Sequence, residues 1–313
     1  MSFRLMKPIT IGTDIALDEV RVDGTISRKL DGIRACVQKG ATLSNSGTPI
    51  ASLYCRELVA ELEGFDGEFI YGDPAAKDVY NKTQSAVNSK VFPRDLDPSE
   101  LRFYVFDYKY KGLAWKDRLA YLRAVFSTEA FKENYPQVVL LEQEEVRDMD
   151  DVQEAYNAYL AEGFEGLIYK KNSAFYKEGR SGKTDQCMLR LKPFGTTFYE
   201  AQILGYNCAF RNENEATTSN LGYTKRSSAK ANRIPLDMLG SFHVRDCTSG
   251  ITFDLPVSSM THDERVSIWK HIDDFVGQYV RYTCLDYGRV NKPRMPSFRG
   301  FRAKTDFSPT GDF

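Results

Sequence analysis

One short segment near the N-terminus combines residue types that can carry out nucleophilic chemistry. Lys29, Asp31, Gly32 and Arg34 lie within six consecutive positions. The amine of a lysine is a nucleophile only after it has lost its proton, which costs roughly 4–5 kcal/mol at pH 7. Asp-Gly is also the common signal of a hairpin turn, so this segment alone indicates either chemistry or a simple turn.

Four more groups of reactive side chains follow along the chain. Glu68 puts a carboxylate in one predicted strand, and Phe106 puts an aromatic ring beside an acid in another. Glu165 is followed by a glycine and a further predicted strand, and Arg190 and Lys192 place two cations on one strand face. Each group alone fits an exposed acid, a core aromatic or a solvated cation, and only their order along the chain suggests a common site.

The elements that would position these residues alternate between strand-like and helix-like segments. Apolar or alternating runs predict strands at 26–30, 33–37, 65–71, 101–108, 138–141, 167–170 and 188–192. Apolar residues at helical spacing predict helices at 49–62, 116–126 and 150–162. The first two strands are expected to flank a turn at Asp31 and Gly32.

The texture of the sequence changes after Lys192, where Pro193 and Gly195 break the chain. Short strands are predicted at 200–206, 240–244, 251–255 and 278–285, with one helix at 261–275. Five or so strands and one helix are typical of a small open barrel of the OB type. The polar segment 211–233 reads as a long loop. The sequence therefore predicts an α+β chain with two domains, at residues 1–195 and 196–313.

The composition of the 313 residues excludes several classes of protein. Hydrophobic residues make up 42% and the net charge is −1, so the chain is of globular type and no basic field covers the whole molecule. We expect neither a membrane span nor a secretion signal, because the apolar runs are short. The six cysteines include no C-x-x-C pair, and the three histidines have no Cys or His at metal-ligand spacing. We therefore expect no zinc, no catalytic histidine triad and a reducing compartment.

Taken together, the motifs resemble those of the covalent nucleotidyl-transferase superfamily, which contains ATP-dependent DNA ligases, RNA ligases and mRNA capping enzymes. The resemblance covers about residues 7–192 and keeps the family order of motifs. Three later segments, 221–228, 239–242 and 294–302, are similar to the OB-domain pattern of small bacteriophage-type ATP-dependent DNA ligases. The resemblance implies a nucleotidyl-transferase (ATP-grasp-like) domain with antiparallel sheets, followed by a small OB-fold β-barrel.

The resemblance also implies a three-step reaction on nicked double-stranded DNA. Lys29 attacks the α-phosphorus of ATP and becomes a lysyl-AMP, which releases pyrophosphate. The AMP moves to the 5′-phosphate at the nick to give a DNA-adenylate, and the 3′-hydroxyl then displaces AMP. Such a ligase would use ATP and Mg²⁺ in DNA replication, repair or recombination. It is expected to be a cytoplasmic monomer, in the host cytoplasm if the source is viral.

Roles for individual residues follow from the same resemblance. Glu68 and Glu165 are expected to bind Mg²⁺ and the ribose edge. Lys192 is expected to hold the α-phosphate with help from Arg190. Four residues would complete the nucleotide site, with Arg34 at the ribose, Phe106 stacked on adenine, Asp31 fixing the local geometry and Lys7 in the binding pocket.

Three features depart from the family pattern. Asn45 stands where an arginine is common, so a charge-assisted phosphate contact is lost there, and Arg56 is the nearby candidate to replace it. Arg190 stands where lysine is common, which keeps the charge but changes the geometry of the donors. No R-x-D-K-type motif is evident near the C-terminus, which leaves open the residue that orients pyrophosphate.

Two cation-rich segments could hold DNA despite the neutral net charge. One lies within 211–233, and the other lies between the fourth and fifth motifs. The alternative for both is a solvated surface. The interpretation as a DNA contact assigns phosphate binding to six cations: Arg180, Lys183, Lys225, Arg226, Lys230 and Arg233.

Other functions stay open at this point. An RNA ligase or an mRNA-capping-type guanylyltransferase shares the first five motifs, although the OB-domain pattern favours a DNA ligase. A NAD-dependent DNA ligase is disfavoured because the chain has no four-cysteine zinc site. A catalytically silent nick-binding module is a further alternative, and it is opposed by the intact Lys29, Glu68, Glu165 and Lys192.

Overall fold

The structure is a computed structural model that describes residues 3–193, 198–285 and 292–302. The chain forms two compact units. The first unit contains Met1–Pro193 together with Asn220–Gly222, and the second contains Phe194–Ser219 and Tyr223–Phe313. The expected domain boundary between residues 195 and 196 lies outside the described residues.

Short strands and helices alternate through the first unit. Its strands are β1 (Met6–Lys7), β2 (Ile9–Thr10), β3 (Gly24–Arg28), β4 (Ile33–Gln38), β5 (Ala41–Ser44), β6 (Phe65–Tyr71), β7 (Leu101–Tyr108), β8 (Val138–Leu140), β9 (Glu144–Val146), β10 (Leu167–Lys171), β11 (Gly179–Arg180) and β12 (Met188–Leu191). Its helices are α1 (Leu53–Leu58), α2 (Val79–Asn88), α3 (Trp115–Ser127), α4 (Glu129–Asn134) and α5 (Met149–Glu162), with 3-10 turns at Leu17–Glu19 and Pro98–Glu100.

Two five-stranded sheets form the body of this unit. One has the strand order β2-β12-β10-β3-β9, and the other has the order β5-β4-β6-β7-β8. Neighbouring strands are antiparallel except in the β2–β12 and β7–β8 pairs, which are parallel. A further parallel pair joins β1 to β11. The N-terminal segment is therefore paired with the strands that lie at the end of the unit.

Strands do flank Asp31 and Gly32 as expected, but they do not pair with each other as the strands of a hairpin would. β3 pairs with β9 and β10, whereas β4 pairs with β5 and β6, so the two strands belong to different sheets. Residues 29–32 connect the sheets instead. A Cβ on Gly32 would lie 2.2 Å from the carbonyl oxygen of Phe69, so this close passage requires glycine. Lys29 is the first residue of the connection.

β7 shows how the sequence pattern selects the buried face. Its residues alternate between buried and partly exposed along Leu101–Tyr108, as in a strand with one face in the core. Phe103 packs on Phe69 of β6, with ring centroids 4.7 Å apart. Asp107 continues the buried series with a carboxylate in place of an apolar group. A buried charge needs partners, and those of Asp107 lie next to the cavity described below.

α5 has clear signals at both ends. The side chain of Asp148 accepts the N–H groups of Asp150 and Asp151 at 3.0 Å, and the helix ends at Gly163, which has a φ of 100°. The 14 residues of this helix extend about 21 Å.

Within residues 3–193, 198–285 and 292–302, no helix is both long and apolar enough to cross a membrane.

Most predicted elements of the first unit lie within a few residues of their expected positions. The strands at 65–71 and 101–108 are β6 and β7, and the helices at 116–126 and 150–162 are α3 and α5. The helix at 49–62 is shorter than expected, because Ser52 caps α1 and the helix ends at Leu58. The helices α2 and α4 were not expected.

The second unit is an antiparallel sheet with one helix. Its elements are β13 (Tyr199–Asn212), β14 (Ala216–Thr218), β15 (Thr224–Arg226), β16 (Arg233–Asp246), β17 (Thr252–Pro256), α6 (His262–Trp269), a 3-10 turn (Ile272–Phe275), β18 (Tyr279–Leu285) and β19 (Arg294–Arg302). Five strands pair in the order β17-β16-β13-β18-β19. The pairings among the described strands leave this sheet open. The α+β class is confirmed, and the strands and helix agree with an OB-type unit.

The segment 211–233, which we call the basic hairpin, is not the structureless loop that was expected. β14 and β15 pair in antiparallel fashion, with Ala216 opposite Arg226. The buried side-chain amide of Asn214 donates to the carbonyl oxygens of Ser227 and Ala229. These bonds satisfy backbone groups without an apolar core, which explains how a polar segment forms strands that an apolar pattern could not predict.

Candidate active site

A cavity of about 350 Å³ lies in the first unit, and both five-stranded sheets contribute to its wall. Seven of the lining side chains are cationic and one is acidic, so the cavity suits an anionic ligand. The lining residues are Lys7, Pro8, Ser27, Arg28, Lys29, Leu30, Arg34, Asn45, Glu68, Phe106, Leu141, Ile168, Lys170, Arg180, Met188 and Arg190.

Backbone hydrogen bonds fix Lys29 beside the segment that carries Glu165. The N–H of Lys29 donates to the carbonyl oxygen of Gly166 at 2.8 Å, and the N–H of Glu165 donates to the carbonyl oxygen of Lys29 at 3.2 Å. Gly166 has a φ of 133°, and a Cβ there would lie 2.2 Å from the carbonyl oxygen of Leu191. The Lys29 amine forms an ion pair with the Glu165 carboxylate, and the two side chains are 18% and 10% exposed. Glutamate and glycine together therefore position the amine.

Glu68 is the second acidic group near Lys29. It lies on β6, and its Oε1 accepts the backbone N–H of Gly32 at 3.0 Å. Burial raises the pKa of Glu68 to about 7, while the positive charge of Lys29 opposes the rise and the negative charge of Glu165 adds to it. The charges of Lys29 and Glu165 therefore both act on Glu68 within a single site.

Arg34 connects the aromatic wall of the cavity to the N-terminal strand. Its Nε and Nη2 donate to the two carboxylate oxygens of Asp66 at 2.9 and 2.7 Å. Its Nη1 donates to the carbonyl oxygen of Met6 at 2.8 Å. The guanidinium carbon lies 5.2 Å from the centroid of the Phe106 ring. Tyr176 donates its hydroxyl to the same Asp66 at 2.6 Å, so Asp66 is itself held in place where it fixes the guanidinium of Arg34.

A buried charge network lies next to Phe106. Asp107 accepts Nε of Arg118 at 2.7 Å and Nζ of Lys170 at 2.9 Å. The Lys170 amine also donates to the carbonyl oxygen of Phe106, and it lies 3.9 Å from the centroid of the Trp115 ring. Burial lowers the pKa of Lys170 to about 8, although the charge of Asp107 opposes the change. The network thus fixes the strand end that carries Phe106.

The phosphate-binding cations expected from the sequence differ in their placement. Arg190 lines the cavity, and its Nε donates to the hydroxyl of Thr10 at 2.8 Å. Arg180 also lines the cavity, is 58% exposed, and pairs with Asp14 at 2.6 Å. Lys192 lies two residues beyond Arg190 and is not among the lining residues. Arg190 and Lys192 are nevertheless two residues apart along β12 and its end, which is the spacing of side chains on one face of a strand.

The structure brings seven of the expected site residues to one cavity: Lys7, Lys29, Arg34, Glu68, Phe106, Arg180 and Arg190. Glu165 joins them through its ion pair with Lys29. Asn45 lines the cavity, whereas Arg56 does not. Of the other expected residues, Asp31, Lys183 and Lys192 do not line the cavity, and the remaining four are exposed in the second unit: Lys225, Arg226, Lys230 and Arg233.

Several residues of the site were missed by sequence reasoning. Lys170 and Asp107 carry a detectable signal, because a charged residue at an inward-facing strand position must have a buried partner. Thr10 and Asp14 carry no such signal. Their partners, Arg190 and Arg180, are more than 160 positions away in the chain.

The acidic residues fit a divalent cation that is bound together with a nucleotide. Glu68 and Glu165 are two carboxylates whose negative charges oppose each other, and a hard cation with oxygen ligands would relieve that repulsion. In the described part of the chain, no group of three or more His, Cys, Asp or Glu side chains could hold a metal by itself. Phosphate and water oxygens would therefore have to complete the coordination of Mg²⁺.

Comparison with known proteins gives matches at two levels. A family model described as the ATP dependent DNA ligase domain matches residues 5–192. No curated protein matches the sequence. The solved DNA ligase-adenylate of Chlorella virus is 22% identical over 96% of this chain and 100% of that chain, with a TM-score of 0.52. A Lig E DNA ligase structure is 23% identical over 96% of this chain and 100% of that chain, with a TM-score of 0.66.

The two structural likenesses show a common fold. The family match spans more than half of the 313 residues and includes every residue that lines the cavity. The chain therefore belongs to the ATP-dependent DNA ligase family.

Proposed function

We propose that this protein is a DNA ligase that uses ATP to seal nicks in double-stranded DNA, through a lysyl-AMP and then a DNA-adenylate. The observation that carries the proposal is the position of Lys29. Its amine lies in a cavity with six other cationic side chains, in contact with Glu165 and near Glu68. Cations of this kind attract a triphosphate and stabilise the charge that develops on it during transfer.

In the first step, Nζ of Lys29 attacks the α-phosphorus of ATP. The N–P bond forms while the bond to the bridging oxygen breaks, and pyrophosphate leaves with that electron pair. The ammonium must lose a proton for this attack, and the Glu165 carboxylate in contact with it can accept that proton. We assign the α-phosphate contact to Lys192 and a supporting contact to Arg190, because cations there would neutralise the phosphate oxygens.

The nucleoside part of ATP is assigned to the wall formed by Phe106. A base stacked on an aromatic ring gains about 1–3 kcal/mol. Arg34 and Lys170 each lie 5.2 Å from the Phe106 ring centroid, so two cations contact the ring on which the base would stack. We assign the ribose to Arg34 and Glu68. Two further roles are proposed, with Lys7 in the nucleotide pocket and Asp31 keeping the geometry of the connection.

The later steps reuse the same cavity. An oxygen of the 5′-phosphate at the nick attacks the phosphorus of the lysyl-AMP, the N–P bond breaks, and the Lys29 nitrogen recovers a proton. The 3′-hydroxyl then gives its proton to water and attacks the 5′-phosphorus of the DNA-adenylate, the bond from that phosphorus to the bridging oxygen breaks, and AMP leaves with the electron pair. Each step moves a phosphoryl group between nucleophiles, so one set of positioned cations can serve all three.

Mg²⁺, when bound, would neutralise phosphate charge. Glu68 and Glu165 are the residues that would hold it, together with phosphate oxygens. Glu165 thus has two proposed partners, the Lys29 amine and the cation. Zinc has no proposed role, in agreement with the lack of paired cysteines in the sequence.

DNA is proposed to bind through the basic hairpin and through Arg180 and Lys183. Lys225 and Lys230 are exposed and suited to phosphate contacts. Arg226 and Arg233 also donate to backbone carbonyl oxygens within the hairpin, so they both stabilise it and add charge. We further propose that the protein is a monomer and, since all six cysteines are free as in a reducing compartment, that it acts in the cytoplasm.

Incubation with ATP labelled at the α-phosphate tests the proposed function. The wild type should acquire a label that survives denaturation and is lost in acid, as expected for a phosphoramidate. Lys29→Ala should acquire no label while it still unfolds in one cooperative transition, at a lower midpoint because Glu165 has lost its ion-pair partner. A wild type that stays unlabelled would overturn the proposal, and a labelled Lys29→Ala variant would show that another residue is the nucleophile.

The same assay separates the alternatives within the superfamily. Labelling by GTP in place of ATP would indicate capping chemistry. A labelled protein that seals nicked RNA but not nicked DNA would be an RNA ligase. A protein that binds nicked DNA and acquires no label would be a silent binding module.

A further inference from the structure

The turn at residues 10–14 contacts two of the arginines that line the cavity. It follows β2, and the N–H of Asp14 closes it by donating to the carbonyl oxygen of Thr10 at 2.8 Å. Parallel pairing places Thr10 opposite Arg190 on β12, and Thr10 is buried. The turn is therefore fixed to the sheet next to the cavity.

Asp14 holds Arg180 through an oxygen that is itself fixed. Its Oδ2 accepts the N–H of Thr10 at 2.7 Å and Nη2 of Arg180 at 2.6 Å. The bond from the Thr10 N–H, together with the charge of Arg180, lowers the pKa of Asp14, so its carboxylate is charged at neutral pH. Parallel pairing of β1 with β11 places Arg180 opposite Lys7, another lining residue.

Thr10 holds the second arginine in an analogous way. Its Oγ1 accepts Nε of Arg190 at 2.8 Å. In both arginines only one donor is used by the turn, Nη2 in Arg180 and Nε in Arg190. The other guanidinium donors can then form the paired N–H contacts that phosphate groups accept.

We propose that Asp14 and Thr10 are positioning residues that direct Arg180 and Arg190 toward a phosphate group of the reacting substrates. This inference rests on the proposed ligase function. The phosphate belongs either to the pyrophosphate end of ATP or to the 5′ end of the nick, which share the same chemistry. A long arginine side chain that is already held by a fixed acceptor loses less freedom when its ligand binds.

A purely structural ion pair between Asp14 and Arg180 would behave differently. Arg180 is 58% exposed, and an exposed ion pair adds little to stability. Loss of the pair should therefore leave the thermal unfolding of the protein nearly unchanged. A purely structural pair would also leave both reaction rates unchanged, whereas a positioning role predicts a loss of rate while stability stays nearly the same.

The test compares Asp14→Ala, Asp14→Asn, Arg180→Ala and the Asp14→Ala/Arg180→Ala double variant in the full chain. Two single-turnover rates are measured, self-adenylylation from ATP and sealing of a nick that already carries a 5′-adenylate. Asp14→Ala and Arg180→Ala should slow the same rate by about tenfold, and the double variant should be no slower than Arg180→Ala. Asp14→Asn keeps a carbonyl oxygen for both bonds and should recover most of the rate.

A matched control breaks an ion pair at the start of α5. Asp151 pairs with Arg147 at 2.9 Å, and neither residue lines the cavity. Asp151→Ala should leave both rates unchanged. Thr10→Val and Thr10→Ser extend the test to Arg190, because the serine keeps the hydroxyl acceptor and the valine removes it. Thr10→Val should be about tenfold slower, as Arg190→Ala is, and Thr10→Ser should retain most of the rate.

The outcomes separate this inference from the proposed function. A slower self-adenylylation would assign the phosphate to ATP, and a slower sealing of the adenylated nick would assign it to DNA. If the wild type labels and seals but Asp14→Ala changes neither rate, the inference is overturned and the ligase function stands. Multiplying losses in the double variant would also overturn it. A wild type that neither labels nor seals would overturn both.

Discussion

The amine of Lys29 and the carboxylate of Glu165 form an ion pair, although 136 positions separate the two residues in the sequence. Two backbone hydrogen bonds between the same segments keep the pair together. The pair joins the connection between the two sheets to the segment just before β10. The same ion pair thus links these two segments and holds the amine of the proposed nucleophile.

We expect Glu165→Gln to slow self-adenylylation by at least about tenfold, because an amide neither pairs with the Lys29 ammonium nor accepts its proton. The variant should also lose about 1–3 kcal/mol of stability, since a partly buried charge is left without its partner. Single-turnover labelling and urea unfolding measure the two effects. The Lys29→Met/Glu165→Gln double variant should regain stability but not activity. Wild-type labelling by Glu165→Gln would contradict the assigned role.

Lys192→Ala should reduce AMP transfer from ATP far more than Arg190→Ala does. Lys192 is the proposed α-phosphate ligand, whereas the Arg190 guanidinium already gives one donor to Thr10. A contact that strengthens in the transition state lowers kcat when it is lost, rather than raising KM alone. Rates of single-turnover labelling at several ATP concentrations measure the difference. Equal activity of the wild type and Lys192→Ala would remove Lys192 from the site.

Replacement of the four hairpin cations by alanine should weaken nicked-duplex binding and sealing, while self-adenylylation should stay within a few-fold because it needs no DNA. The slope of log affinity against log salt should fall by about 3–4 units if all four contact phosphate, since each contact releases close to one counterion. Binding should weaken similarly for different sequences. The replaced residues are Lys225, Arg226, Lys230 and Arg233.

Smaller replacements separate charge from hairpin structure. Lys225→Ala/Lys230→Ala removes charge, whereas Arg226→Ala/Arg233→Ala also removes hydrogen bonds within the hairpin. The arginine pair should therefore have the larger effect on sealing. The control is Lys82→Ala/Lys132→Ala, which removes the same number of positive charges from two helices of the first unit. An unchanged salt slope and unchanged sealing in the fourfold variant would identify the hairpin as ordinary solvated surface.

Stability of the metal-free protein should depend on pH through Glu68. Its pKa is about 7 in the folded protein and 4.5 ordinarily, so the folded state keeps a proton that the unfolded chain releases between these values. This contribution to stability is therefore present below pH 4.5 and is lost as the pH rises through 7. Glutamine mimics the protonated carboxyl and keeps the acceptor for the N–H of Gly32.

Glu68→Gln should accordingly match the wild type in stability at pH 4.5 and exceed it above pH 7. The expected difference is on the order of 1–3 kcal/mol. Urea midpoints of both proteins at a series of pH values measure this difference. A difference that stays constant across the series would contradict the raised pKa.

The sequence predicted the elements that carry reactive groups better than it predicted their partners. The alternation in β7 and the end signals of α5 are local, so they could be read without the fold. The Asp-Gly signal was also local, but it could not tell which sheet each flanking strand joins. That outcome depends on the close passage of Gly32 by Phe69, which is a contact between distant segments.

The candidate site shows the same division. Lys29, Glu68 and Phe106 were expected from motifs and do line the cavity. Asp14 was not expected, because nothing near it in the sequence indicates that Arg180 lies against it. The basic hairpin was expected to be a loop because its sequence has no apolar pattern. It forms strands instead because the side-chain amide of Asn214 stabilises it in place of apolar residues.

The connection at residues 29–32 has a mechanical consequence for the proposed intermediate. A nucleotide attached to Lys29 would become part of the segment that tethers one sheet to the other. Its base would rest on Phe106 of the second sheet and its phosphate would face Arg190 of the first. The adenylate would then contact both sheets and hold them together. Attachment of AMP to Lys29 should therefore slow amide hydrogen exchange in the strands that flank the connection. Formation of the reactive intermediate would then also make the first unit more rigid.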